Sequence, residues 1–273
     1  MELTDLKIKK KEIIKKILKL SVEGGDSAAH IGGALSSVDI ITVLFFSIMN
    51  FDKNNYLNKN RDRFILSKGH ACLVLYSALL EKKIISWEDA KSFEKDNSDF
   101  PGHPVKNPKL GIEFSTGSLG MGIGLAAGVA LALKKNKQKN HVYVLLGDGE
   151  CNEGSVWESL LTISHYQLDN ITIIVDKNKF QQTGETSEII SNSNLKEKFL
   201  SFGINCKEIN GHNITEINET LLNLIKAKKP SAIIANTIKG HGIKKFENDN
   251  KWHHSILTKD LYLECINDLN EYD

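Results

Sequence analysis

A chain of 273 residues with 35 basic and 34 acidic side chains is long enough for a substantial core, and carries no charge excess that would draw it to nucleic acid or an anionic membrane. Its four cysteines, Cys72, Cys151, Cys206 and Cys265, are scattered without a Cys-x-x-Cys pair, which argues against a structural zinc site and a disulfide scaffold. No apolar run reaches the roughly 18–20 residues that span a bilayer, and the N-terminus lacks the apolar stretch of a signal peptide, so the expectation is a soluble, cytoplasmic protein.

The first predicted element is a helix over 4–21. Lys7, Lys9, Lys10, Lys11, Lys15 and Lys16 interleave with Ile8, Ile13, Ile14, Ile17 and Leu18, the pattern of a solvated face backed by an apolar one, with a basic binding patch as the alternative. Helices are further expected over 36–50, 70–82, 86–95 and 118–135. In the last of these, the glycines at 120, 122, 124 and 128 each weaken the helix by about 1 kcal/mol relative to alanine, so their use is close approach to a neighbour or a ligand. The runs "HVYVLLG" (141–147), "ITIIVD" (171–176) and "AIIANT" (232–237) read as strands covered on both faces, with a weaker strand around 204–209. Helical spacing at 153–167, 194–202 and 214–228 separates them. Strand, helix, strand in this order predicts an α/β fold: a parallel sheet flanked by helices, with a helix-rich N-terminal part and a single domain over 1–273.

This layout sharpens the segment "LLGDGECNEGSVWE" (145–158). Gly-Asp-Gly is ordinary turn chemistry when taken alone. Here Gly147-Asp148-Gly149 ends one predicted strand, and Asp176-Lys177-Asn178 ends its predicted neighbour, the place where open parallel sheets bind ligands. A carboxylate and an amide carbonyl are hard oxygen donors that suit Mg²⁺ or Ca²⁺, and Mg²⁺ fills its remaining positions with water and phosphate oxygens. Gly149, without a Cβ, lets a phosphate reach the backbone at the start of the next helix. The pattern points to Mg²⁺ plus a diphosphate.

Gly-Asp-Gly, a helical crossover and an asparagine after the next strand resemble the thiamine diphosphate motif. The segments "AHIGGALSSVDI" (29–40), "DRFILSKGHACLVLYSAL" (62–79), "FPGHP" (100–104), "GIEFSTGSLGMGIGLAAGVALA" (111–132), "GDGECNEGSVWES" (147–159), "DKNKFQQTG" (176–184) and "TIKGHGIKKFENDNKWHH" (237–254) resemble, in unbroken order, the transketolase family. The resemblance implies the thiamine diphosphate-binding fold. It implies Mg²⁺, with Ca²⁺ or Mn²⁺ able to substitute, held by Asp148, Asn178 and the backbone carbonyl of Phe180. It places Gly149 on the diphosphate, with Gly147 and Glu150 beside it, and Gly117 and Leu119 along the aminopyrimidine. His70 and His253 would contact cofactor or substrate; His30 and His103 would line the entrance and bind donor hydroxyls. His254 competes with His253 for one role, the residue directly after Trp252 matching better. Glu153 and Glu158 match carboxylates that link two cofactor sites, although plain charge stabilisation of a helix N-terminus also accounts for Glu153. Ala29 departs from the family, which often has glycine before its histidine.

The resemblance further implies transfer of a two-carbon ketol unit from a ketose phosphate to an aldose phosphate, as in pentose phosphate chemistry. The pyrimidine-binding and C-terminal domains are not in this chain, so the expectation is the N-terminal subunit of a two-chain enzyme. It would work with a C-terminal, pyrimidine-binding subunit, two copies of each forming a heterotetramer. The rival readings are a subunit of another thiamine diphosphate enzyme, either deoxyxylulose-phosphate-synthase-like or an oxo-acid dehydrogenase α subunit, and a transketolase-like enzyme of specialised sugar metabolism. A non-catalytic regulatory subunit would be expected to have lost Asp148, Asn178 or the histidines.

Overall fold

The aliphatic run of residues 142–147 is a strand with every side chain buried, because helices cover both of its faces. Val142, Val144 and Leu146 point to one apolar cluster, while Tyr143 and Leu145 point to the other. The same alternation divides Ile173 from Ile174 and Ile233 from Ile234. The computed structural model describes residues 2–271; Met1, Tyr272 and Asp273 of the expected 1–273 unit lie outside the described residues.

Five strands, β1 (Arg63–Leu66), β2 (Val142–Gly147), β3 (Ile171–Lys177), β4 (Asn205–Asn210) and β5 (Ser231–Asn236), form one sheet in the order β1-β2-β3-β5-β4, with every pair parallel. The helices in chain order are α1 (Leu3–Glu23), α2 (Ile31–Leu35), α3 (Val38–Val43), α4 (Cys72–Glu81), α5 (Trp87–Ala90), α6 (Met121–Lys135), α7 (Gly154–His165), α8 (Thr186–Ile189), α9 (Leu195–Ser201), α10 (Ile214–Lys226) and α11 (Lys259–Glu271). Helices α1, α3, α4, α10 and α11 contribute to the cluster on one face of the sheet, and α6, α7 and α9 to that on the other. This is the expected α/β architecture with a helix-rich N-terminal part. Among the described residues no helix is long and apolar enough to cross a membrane.

Three local expectations change. The four residues of β1 form an edge strand that the sequence does not signal, since so short a run carries little periodicity. The helix expected over 36–50 is interrupted at Ser36 and Ser37, whose hydroxyls bond the Gly33 carbonyl at 3.1 Å each and reach the Asp176 carboxylate, and it ends in a wide π-helical turn over Leu44–Ile48. The helix expected over 86–95 is only Trp87–Ala90, and the chain leaves helical geometry by Glu94, with φ at +58°. The expected close approach of this glycine-rich segment occurs at two places: a Cβ on Gly122 would lie 2.7 Å from Ser67 Cα, so α6 rests directly on the exit of β1, and one on Gly120, at the N-cap with φ +81°, would lie 2.7 Å from Glu153 Cβ. Gly128 has open space around it and serves no such contact.

Candidate functional site

The parallel register brings three strand exits side by side. Gly147 lies opposite Asp176, Asp176 opposite Ala235, and Lys177 opposite Asn236. A cleft of about 460 Å³ opens over these ends. Of the expected site residues, His30, His70, His103, Gly117, Leu119, Gly147, Asp148, Gly149, Glu150, Glu153, Asn178, Phe180 and His253 line it. Glu158 does not: it is exposed on α7, away from the cleft wall. Glu153 stands at the N-cap position of α7, where its side chain makes no capping hydrogen bond.

The oxygen donors are held by backbone amides. One Asp148 oxygen accepts from Gly149 N at 2.9 Å, the other from Lys179 N at 2.8 Å. Asn178 donates its amide to Asp176 Oδ2 at 3.0 Å, and its own carbonyl accepts from Phe180 N at 3.1 Å. Burial first, then the charge of Asp176, push the Asp148 carboxyl up to about 6. A buried carboxylate so poorly compensated, beside an amide oxygen, is a donor set that fits a hard divalent cation.

The anion-binding side is not evident in the sequence. Lys68 and Lys239 line the same cleft at 0% and 1% exposure. Lys68 is committed: it bonds the Gly33 carbonyl at 2.9 Å, Ser37 Oγ at 3.2 Å and the Asp176 carboxylate. Lys239 bonds Asn250 Oδ1 at 2.6 Å and His253 Nδ1 at 2.9 Å, which leaves one of its three N–H groups for the cleft. Burial and then the neighbouring Lys68 pull the Lys239 ammonium down to about 8, the mark of a cation short of negative charge. Facing Asp148 and the helix-entry amides, it fits a diphosphate bridged to a divalent cation. One sequence signal does exist: both lysines directly precede a glycine just beyond a strand.

Glu150, expected beside the cofactor, turns its carboxylate into the protein. It accepts from Gly120 N at 2.8 Å and Gly147 N at 3.1 Å and pairs with the Ser67 hydroxyl. These bonds tie the exits of β1 and β2 to the loop that carries Gly117 and Leu119. Gly117 has φ +137°, and a Cβ there would lie 2.6 Å from the His103 ring, so only glycine suits that turn.

Around His30 the imidazoles gather. Its ring centroid lies 5.5 Å from His70, 5.4 Å from His103, 5.4 Å from His253 and 4.4 Å from His254. Burial, then neighbouring imidazoles and Lys239, lower His30 to about 3; burial, then Lys239, lowers His253 to about 4. Burial likewise holds His70 well below its ordinary value and lowers His103. His30, His70, His103 and His253 are therefore neutral at neutral pH. Because Lys239 donates to His253 Nδ1, the ring proton of His253 resides on Nε2. His253 lines the cleft, while the neighbouring His254 is exposed and packs on His30.

Comparison with known proteins follows the same segments. The family described as the transketolase thiamine diphosphate binding domain matches residues 9–265. The chain is 40% identical to one of the subunits of the apulose-4-phosphate transketolase of Actinobacillus succinogenes, covering 97% of this chain and 96% of that one. It is 35% identical to the 6-deoxy-6-sulfo-D-fructose transketolase subunit of a Clostridium species, covering 93% and 94%. Its structure resembles that of a transketolase from Campylobacter jejuni, with a TM-score of 0.90 at 31% identity, and the match spans 99% of this chain but 43% of that one.

Proposed function

This chain belongs to the transketolase family through its thiamine diphosphate binding domain, and from that premise we propose that it is the N-terminal subunit of a two-chain transketolase. Relatives matched over nearly their whole length are named as transketolase subunits, which implies a partner chain. In our reading the partner carries the pyrimidine-binding half, the assembly holds two copies of each chain, and the reaction moves a two-carbon ketol unit from a ketose to an aldose, both phosphorylated or otherwise anionic. The names of those relatives, one an apulose phosphate and one a sulfofructose enzyme, favour a specialised sugar over the central pentose phosphates.

Asp148, Asn178 and the Phe180 carbonyl would hold Mg²⁺. The remaining N–H of Lys239 would face the diphosphate beside the Gly149 backbone, whose N–H bonds Asp148 in the cofactor-free chain, and Gly117 and Leu119 would flank the ring system. When bound, thiamine diphosphate supplies the carbon nucleophile that the protein lacks. The chain's own residues bind, orient and handle protons. His30, His70 and His103 are neutral, so they act as hydrogen-bond partners for sugar hydroxyls rather than as cationic clamps, and His253 offers its Nε2–H. The observation that carries the proposal is the meeting, in one cleft, of Asp148, Asn178 and Lys239 with four neutral imidazoles.

The test is a ketol-transfer assay of the purified chain with thiamine diphosphate, Mg²⁺, a ketose phosphate donor and an aldose acceptor. It is run alone and then with the product of the adjacent reading frame. Activity only in the mixture is the expected result. Activity of this chain alone would refute the split enzyme, and silence in both with cofactor bound would refute ketol transfer from that donor.

A further inference from the structure

On the far side of the β5 exit from the catalytic cleft lies a second cavity, of about 780 Å³, with Asp39, His212 and His241 in its wall. None of the three lines the catalytic cleft. Their ligand atoms lie within 4.8 Å of one another, the spacing of a metal site. The hydrogen bonds assign them other work. Ile238 N donates to His212 Nε2 at 2.8 Å, so that nitrogen must carry the lone pair and Nδ1 the proton. Nδ1 lies 2.9 Å from Asp39 Oδ2, an acceptor, which completes one consistent tautomer. Both His212 nitrogens are therefore in use. The other Asp39 oxygen is paired with Lys10 at 2.8 Å, so a cation already stands where a metal would bind. The His241 ring stacks on His212 at 3.6 Å between centroids and is tethered through Nδ1 to Glu247 at 3.0 Å, which fixes the plane of the His212 ring.

The pinned peptide joins Thr237 to Ile238, the residue before Lys239. We propose that Asp39 and His212 are positioning residues for the diphosphate site: they clamp the Ile238 amide from behind, and so hold Lys239 aimed into the cleft. The proposal rests on the reading of Lys239 as the ammonium that faces the diphosphate. The segment has further anchors on either side, among them Thr237 Oγ1 on Asp176, Thr237 N on the Lys177 carbonyl at 3.1 Å, Gly240 N on the Gly32 carbonyl at 3.0 Å and Asn248 N on the Lys239 carbonyl at 2.9 Å. Between them, the Ile238 N–H is directed at the far cavity and has a side chain as its partner. Losing that partner would leave a half-buried donor unsatisfied and would loosen the peptide from which the chain runs on to Lys239. Asp39 is fully buried, and although burial would raise its pKa, the His212 hydrogen bond and Lys10 hold it below the ordinary carboxylate range, so the acceptor for His212 is permanently ionised. A permanently charged acceptor fixes the tautomer that receives the Ile238 amide.

The experiment is a double-mutant cycle on the full chain, read by calorimetric binding of Mg²⁺-pyrophosphate and of thiamine diphosphate with Mg²⁺. His212→Ala is expected to weaken pyrophosphate about tenfold. His212→Gln, whose amide accepts from Ile238 and donates to Asp39, should stay within about threefold of the parent. In a Lys239→Ala background, His212→Ala should change nothing further. If His212→Ala does not fold, His212→Phe keeps the ring stack on His241 without either nitrogen and takes its place. Equal losses from the His212 substitution in both backgrounds would overturn the positioning role and leave the Lys239 reading intact. A Lys239→Ala chain that binds pyrophosphate like the parent would remove that reading and the proposal with it. Saturable Zn²⁺ binding by the cofactor-free chain, lost in His212→Ala and His241→Ala alike, would replace the clamp with a metal site.

Discussion

Two carboxylates stand at adjoining strand exits and have opposite fates. Asp176, at the end of β3, is fully buried, and its oxygens are taken by Lys68, Ser36, Asn178 and Thr237. Burial would raise its pKa, yet Lys68 and these hydroxyls hold it below the ordinary range. Asp148, just past the end of β2, is almost as buried, but it receives chiefly backbone amides and is pushed up to about 6. The difference separates a charge the fold satisfies from one it leaves for something outside. The floor of the cleft is closed on itself, while its mouth is electrostatically incomplete: a carboxylate short of a cation and, at Lys239, a cation short of an anion. Incompleteness of this kind is what binding relieves.

Substitutions should divide along that line. Asp176→Ala breaks the floor and leaves the Lys68 ammonium buried and unpaired, and urea denaturation should show a loss of about 3–5 kcal/mol. A loss under about 1 kcal/mol would mean that Lys68 finds other partners and that the floor is not closed. Asp148→Asn should do the reverse, weakening Mg²⁺-dependent thiamine diphosphate binding about a hundredfold while the cofactor-free chain melts no lower than the parent. A drop in melting temperature would place Asp148 with Asp176. His103→Ala is expected to slow turnover by about a hundredfold with cofactor affinity unchanged, measured on the reconstituted two-chain enzyme. An equal loss in both quantities would assign His103 to the cofactor rather than the sugar.

The smallest effect concerns protons. His141, at the opposite end of the sheet, where it meets Thr172 Oγ1 at 2.9 Å, and His253 in the cleft are both lowered by burial to about 4 from an ordinary 6.5. Between those values the unfolded chain binds protons that the folded chain excludes. Their contribution is therefore present above pH 6.5 and is lost as pH falls toward 4. The melting temperature should decline from about pH 7.5 to about 5, and His141→Gln should flatten part of that decline without touching cofactor binding. A slope unchanged in the variant would show that His141 takes no part.

Much of this was legible in the chain. Runs of aliphatic residues too long for turns and too short for buried helices marked β2, β3 and β5, because strands covered on both faces are nearly continuous in apolar residues. Gly-Asp-Gly and Asn178 at their ends located the crevice, because ligands of parallel sheets bind where the strands exit. The edges were less legible: β4 has exposed positions in mid-strand, and β1 is four residues long.

What the sequence determined by itself is the set of covalent possibilities: which segments are apolar on both faces, where glycine admits a backbone that no other residue takes, and which oxygen donors follow the strands. Tertiary structure alone decided which charges face inward. Nothing local separates Lys68 and Lys239 decisively from the many solvated lysines, nothing marks Glu150 as a brace between strand exits, and nothing pairs Asp39 with His212 across 173 positions. Those assignments depend on which groups the packed helices strip of water, and on what stands opposite once they have, and a one-dimensional pattern does not contain either.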